Sequence, residues 1–131
     1  MYEFHGWVAL SDSTYESDFE VVAAGVAELG TLLEGFPSPL VAARIEPRNG
    51  QYFLSLEGLT NHKGRVAALL DEVLAYVCER LPGSYGLVYV RDDEGELEAD
   101  RNVFRVRVIA RGGIDERADP FLSPCRPTIE D

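Results

Sequence analysis

Two stretches of this chain repeat apolar residues at helical spacing, and the runs between and around them repeat at strand spacing. That interleaving constrains the fold more than any other feature. Phe19, Val22, Val26, Leu29 and Leu33 fall on one helical stripe. Val66, Leu69, Leu70, Val73, Leu74, Val77 and Leu81 form a second. Neither stripe is stable in water, so both helices need a surface to cover.

The helix ends carry local signals. Ser13 to Glu16 and Ser17 to Glu20 both have capping-box spacing, so the first helix starts somewhere in 14–18. Gly35, followed by Pro37 and Pro39, ends it. Thr60 or Asn61 is placed to cap the second helix, and Pro82-Gly83 ends that one.

The strands surround these helices. Residues 2–10 alternate, with Tyr2, Phe4 and Val8 on one face and His5, Trp7 and Ala9 on the other. Residues 41–46 and 51–57 are joined through Asn49-Gly50, a strong hairpin signal. Residues 86–91 read as a central strand. Residues 102–111 alternate Phe104, Val106, Val108 and Ala110 against Arg105, Arg107 and Arg111, with Ile109 out of pattern. The stretch from about 114 to 131 is rich in proline and reads as an irregular tail.

The order β-α-β-β-α-β-β predicts a single α+β domain over 1–131. Its expected form is a mostly antiparallel sheet of four to five strands with both helices on one face. The first six elements follow a ferredoxin-like order, although other strand arrangements share that string.

Charge narrows the choice of partner. The 131 residues carry 23 Asp and Glu against 12 Lys and Arg, a net charge of −11. Such a surface repels nucleic-acid phosphate and anionic lipid, and attracts cationic proteins. Plain solubility explains the same number, so composition leaves both readings open. The distribution is uneven. Residues 1–43 contain no Lys or Arg but hold Glu16, Asp18 and Glu20 among seven carboxylates. A second acidic block comprises Asp92, Asp93, Glu94, Glu96, Glu98 and Asp100. It reads either as a solvated turn or as a docking loop for a cation. Trp7 adds a candidate contact residue if exposed, since tryptophan is enriched at binding hot spots; a tryptophan in a strand is also a core residue.

Catalytic patterns are sparse. His5 and His62 form no H-x-x-x-H pair, Cys78 and Cys125 form no C-x-x-C pair, and zinc sites favour such close ligand pairs. The acidic block lacks the spacing of a calcium loop. There is no phosphate-binding glycine motif. A His5/Cys125 nucleophile pair has no supporting pattern around it. Both cysteines are expected to be free thiols in a reducing compartment. Without a basic, apolar leader or a membrane-length run, the expected location is the cytoplasm.

Four segments together add a family. Tyr-Glu-Phe-His-Gly-Trp (2–7), Gly-Leu-Val-Tyr-Val-Arg-Asp-Asp-Glu (86–94), Asn-Val-Phe-Arg-Val (102–106) and the tail Asp-Pro-Phe-Leu-Ser-Pro-Cys-Arg-Pro-Thr-Ile-Glu-Asp (119–131) resemble the immunity protein 7 family, Imm7, of bacterial polymorphic toxin systems. The resemblance implies an α+β cytoplasmic protein that binds and neutralises a cognate toxin domain, with no catalytic residue and no cofactor. Many such toxins are nucleases with basic grooves, which acidic side chains can cover. On charge, the contact surface is expected at Glu16, Asp18 and Glu20 and at the 92–100 loop. Two alternatives stand beside this reading: a small-ligand or regulatory domain with a pocket around His5 and Trp7, and a small enzyme using His5 or Cys125.

Overall fold

The computed structural model describes residues 1–96, 101–122 and 124–126. The elements are β1 (Tyr2–Leu10), α1 (Phe19–Leu33), β2 (Val41–Arg48), β3 (Gln51–Thr60), α2 (Gly64–Arg80), β4 (Tyr85–Asp92), β5 (Arg105–Ala110) and β6 (Gly113–Ala118). All six strands join one sheet in the order β2-β3-β1-β4-β5-β6, and every neighbouring pair is antiparallel. The first four strands thus take the ferredoxin-like arrangement, and β5 and β6 extend it past β4.

Alternation along β1 divides the sheet into two faces. Tyr2, Phe4, Val8 and Leu10 point to the helices and are buried. They join Leu54 and Leu56 of β3, Val88 and Val90 of β4, and Ile109 of β5. Leu29 of α1 and Leu70, Val73, Leu74 and Val77 of α2 close the core from above. The second helical stripe is therefore buried as its spacing requires. The first is shifted: Val22 and Leu29 are buried, but Phe19 is 72% exposed. Phe19 is the first residue of α1, directly after its N-cap, Asp18, and is not among the side chains that form the core or pack against it.

Three sequence expectations need correction. The sheet has six strands because residues 113–118, assigned above largely to the tail, pair along β5. This strand is exposed on both faces, so it carries no apolar alternation to betray it. Its register comes from a two-residue turn in which Arg111 and Gly112 both adopt positive φ (54° and 72°). The β2–β3 turn uses Asn49 and Gly50 in the same way, as expected (52° and 81°). Neither Thr60 nor Asn61 caps α2. The N-cap is Lys63 without a side-chain bond, while the Thr60 hydroxyl donates to the His62 carbonyl at 2.7 Å.

The faces of β5 also resolve. Val88 pairs with Arg107 and Gly86 with Ile109, which puts Arg105, Arg107 and Ile109 toward the helices. Ile109 is therefore in phase with the arginines, and Val106 and Val108 face away from the helices. Arg107 is held by Asp71 of α2 at 2.6 Å and lies 3.8 Å from Glu116 of β6.

Candidate functional site

The expected site residues fall in three places. The loop after β1 and the start of α1 hold Glu16, Asp18 and Glu20, all exposed. The carboxylate of Asp12 folds this loop by accepting from the Ser17 hydroxyl at 2.9 Å and the Asp18 amide at 3.1 Å. Asp18 in turn accepts from the Glu20 and Val21 amides and so caps α1. Among the described residues no cation pairs with Glu16, Asp18 or Glu20. Beside them Tyr15 is 99% exposed.

The acidic block starts at the other end of the sheet. Asp92 lies opposite Tyr2 at the start of β1, whereas the first acidic group follows Leu10 at its end. Eight residue steps separate these ends, roughly 26 Å at about 3.3 Å per residue. The structure therefore does not bring the two acidic groups together.

Nor is the second group bare. Lys63 lies 3.4 Å from Asp92, the N-terminal ammonium contacts Asp93, and His62 Nδ1 lies 2.8 Å from Glu94. The hydrogen bond from the ammonium, offset in part by burial, holds the Asp93 carboxyl below its ordinary range. Glu96 is exposed; Glu98 and Asp100 lie outside the described residues.

The third place is the helix-free face. Trp7 lies there, 43% exposed, with its ring edge-on to Tyr85 at 6.1 Å. Trp7 is thus not a core residue. Tyr85 is 53% exposed, Phe53, Leu87 and Tyr89 are half-buried, and Phe104 packs against both Tyr89 and His5. By strand register, the charged residues on this face are Arg44, Glu46, Arg48, Glu57, Glu3, Arg91, Asp115 and Arg117. Four arginines meet four carboxylates, so the described face is neutral although the chain carries −11.

Much of that neutrality is built in as pairs. Arg91, only 3% exposed, reaches the Glu3 carboxylate with Nε at 3.1 Å and Nη2 at 2.9 Å. His5 Nε2 holds the second Glu3 oxygen at 2.7 Å. Burial pushes the Glu3 carboxyl up, but the bonds from His5 and Arg91 outweigh it and leave it below its ordinary range. Arg44 pairs with Glu46 at 3.1 Å, and Arg117 with Asp115 at 2.7 Å.

His5 and Cys125 are not a catalytic pair in this geometry. His5 serves Glu3, while the Cys125 thiol donates to Asn102 Oδ1 at 3.0 Å. Burial pushes the Cys78 thiol up, which keeps it protonated and unreactive. Both cysteines are free.

A cleft of about 720 Å³ runs between α2 and the β4–β6 strands. Lys63, Arg105 and Arg107 line it against Asp71, Asp92 and Glu116, so it offers no net charge. The Tyr2 hydroxyl beside it is buried without a partner, and burial pushes its pKa up to about 12. A phenol held neutral among balanced charges is not a general base at neutral pH. Among the described residues no group of three or more His, Cys, Asp or Glu could hold a metal ion. No helix among them is long and apolar enough to cross a membrane.

Sequence reasoning missed the Glu3–His5–Arg91 cluster and the neutrality of the free face. The cluster was open to detection, because Glu3, His5 and Arg91 sit at alternate positions of strands whose other positions are mostly apolar; the neutrality of the whole face was not, because Asp115 and Arg117 lie on β6, which carries no apolar alternation. The needed signal was the pairing of β1 with β4, which brings residues 3 and 91 together.

No curated protein and no solved structure shows a significant match to this chain. The family model described as immunity protein 7 matches this chain over residues 1–131. The chain belongs to the immunity protein 7 family, Imm7.

Proposed function

We propose that this protein binds and neutralises a cognate toxin of a bacterial polymorphic toxin system, without catalysis, in the cytoplasm of the cell that makes the toxin. The observation that carries the proposal is the family match over the whole chain. The net charge of −11 supports a basic surface on the toxin, such as a nuclease groove.

Of the two acidic ends, the one at α1 fits such a contact better. Its carboxylates have no cationic partner among the described residues, whereas Lys63 faces Asp92 and the N-terminal ammonium faces both Asp93 and Glu94. Tyr15 and Phe19 supply exposed aromatic area beside those carboxylates, and aromatic anchors dominate most interface energetics.

The test is co-expression with a candidate toxin domain from a neighbouring gene, followed by association kinetics. The wild-type chain should rescue growth. Glu16→Lys with Glu20→Lys should slow association about tenfold at low salt, with the effect shrinking as salt is raised. Asp92→Lys with Glu94→Lys should slow it less. Asp18 is left alone because it caps α1. Unchanged rates for both pairs would remove the acidic-contact mechanism. Failure of the folded wild type to rescue would remove the immunity reading for that toxin.

A further inference from the structure

We propose that the helix-free face of the sheet is a homodimer interface, on which a second copy of this chain packs sheet against sheet. This goes beyond toxin binding and does not depend on it.

The first argument is charge. Two chains that each carry −11 repel wherever their acidic surfaces meet. The described helix-free face is not acidic, with four arginines against four carboxylates. A two-fold contact presents the same patch on both sides, so the patch must complement itself. Interspersed, balanced charges meet that condition, and an acidic surface does not. A basic protein gains no electrostatic attraction on this face, which favours a second copy over such a partner.

The second argument is apolar content and its position. β1 and β4 are the two central strands of six, and their register sets Trp7 opposite Leu87. Trp7 is therefore exposed in the central part of the face, where interface hot spots concentrate, and Tyr85, the first residue of β4, flanks it toward one end of the strands. The charged pairs Arg44–Glu46 and Arg117–Asp115 lie on the edge-side strands and form a polar rim.

The third argument is area. Six strands at about 4.8 Å spacing and roughly 25 Å of strand length give a projected face of about 600 Å². Stable interfaces bury about 600–1,000 Å² per partner. Two such sheets stack about 10 Å apart with strands within about 30° of parallel. The dimer leaves the acidic loop before α1 uncovered on both copies.

Sedimentation at about 100 μM should give a species of twice the chain mass of 14.5 kDa. Tyr85→Glu sets a new carboxylate against Trp7 on the central strands of the face and should weaken association at least tenfold, with the circular dichroism spectrum unchanged. Phe19→Glu, exposed on α1 away from that face, should leave association unchanged. The chain contains one tryptophan, so Trp7 emission reports on the interface without any mutation. Diluting the wild type should shift that emission to the red with the same midpoint as the change in mass. A wild type that stays monomeric at 100 μM overturns the proposal. So does a dimer that dissociates with Trp7 emission unchanged, or one that Tyr85→Glu leaves intact. Trp7 emission that responds only to added toxin overturns it too, and gives this face to the toxin.

Discussion

Replacing Glu3 by Gln removes one charge and almost no volume, which makes it a clean probe of the free face. Arg91 is 3% exposed and directs two guanidinium bonds, at 3.1 and 2.9 Å, to this one carboxylate oxygen. Its remaining bond among the described residues, to the Arg101 carbonyl, is long at 3.4 Å. Removing one partner of a buried ion pair costs about 3–5 kcal/mol, chiefly because the other charge stays buried alone. The Glu3 side chain is 21% exposed, so water replaces part of the loss and the lower end applies. The Gln carbonyl still accepts one bond, which recovers about 1 kcal/mol. Glu3→Gln should therefore destabilise the fold by roughly 2–3 kcal/mol, equivalent to a fall in Tm of about 10 °C. Adding Arg91→Met to Glu3→Gln removes the stranded charge and should restore part of that loss.

The pH dependence fixes the cause. The Glu3 carboxyl sits below its ordinary value of 4.5 in the folded chain. A group lowered by folding contributes stability above its unfolded value and loses it as pH falls through its folded value. The wild type should lose this contribution below pH 4.5, and Glu3→Gln has none to lose. Urea unfolding followed by circular dichroism at several pH values measures both. The gap between the two proteins should be full at pH 7 and should narrow as pH falls below 4.5. A gap under about 1 kcal/mol at pH 7, or one that stays constant into acid, would refute the argument.

Two further outcomes follow from backbone geometry. A Cβ on Gly86 would lie 2.0 Å from the Trp7 carbonyl oxygen and 2.7 Å from Val8 Cα, so β1 and β4 would have to separate; Gly86→Ala should prevent folding or cost more than about 3 kcal/mol by urea unfolding. Asp18→Ala removes the cap from α1 and should cost about 1 kcal/mol in the same assay, with Asp18→Asn nearly neutral.

The sequence made the helices and most of the strands legible because their burial is periodic. Leu70, Val73, Leu74 and Val77 recur on one side of α2, and their burial follows from that spacing. Strand β6 was not legible for the opposite reason. Its six residues, Gly-Ile-Asp-Glu-Arg-Ala, are all exposed, on both faces. Its pairing is set by two backbone angles at Arg111 and Gly112, which leave no hydrophobic trace. Phe19 shows a different limit. Its spacing matches the stripe, but spacing does not show that the first residue of the helix stays exposed. The acidic residues show a third. Charge counts marked two groups, yet only strand direction reveals that they lie at opposite ends, and only tertiary contacts show that one of them is matched by cations.

That separation bears on how an acidic protein of this size engages a basic target. At a distance, all carboxylates contribute to attraction, and local pairing matters little. Within a Debye length of about 8 Å at physiological salt, unpaired groups dominate. Asp92 faces Lys63, and Asp93 and Glu94 face the N-terminal ammonium; a partner must displace or outcompete these before it gains from their charge. Glu16 and Glu20 have no such contact among the described residues. The two ends thus draw a basic partner alike from afar, and the α1 end holds it better at contact. The neutral face does neither, and so remains free to meet a surface like itself.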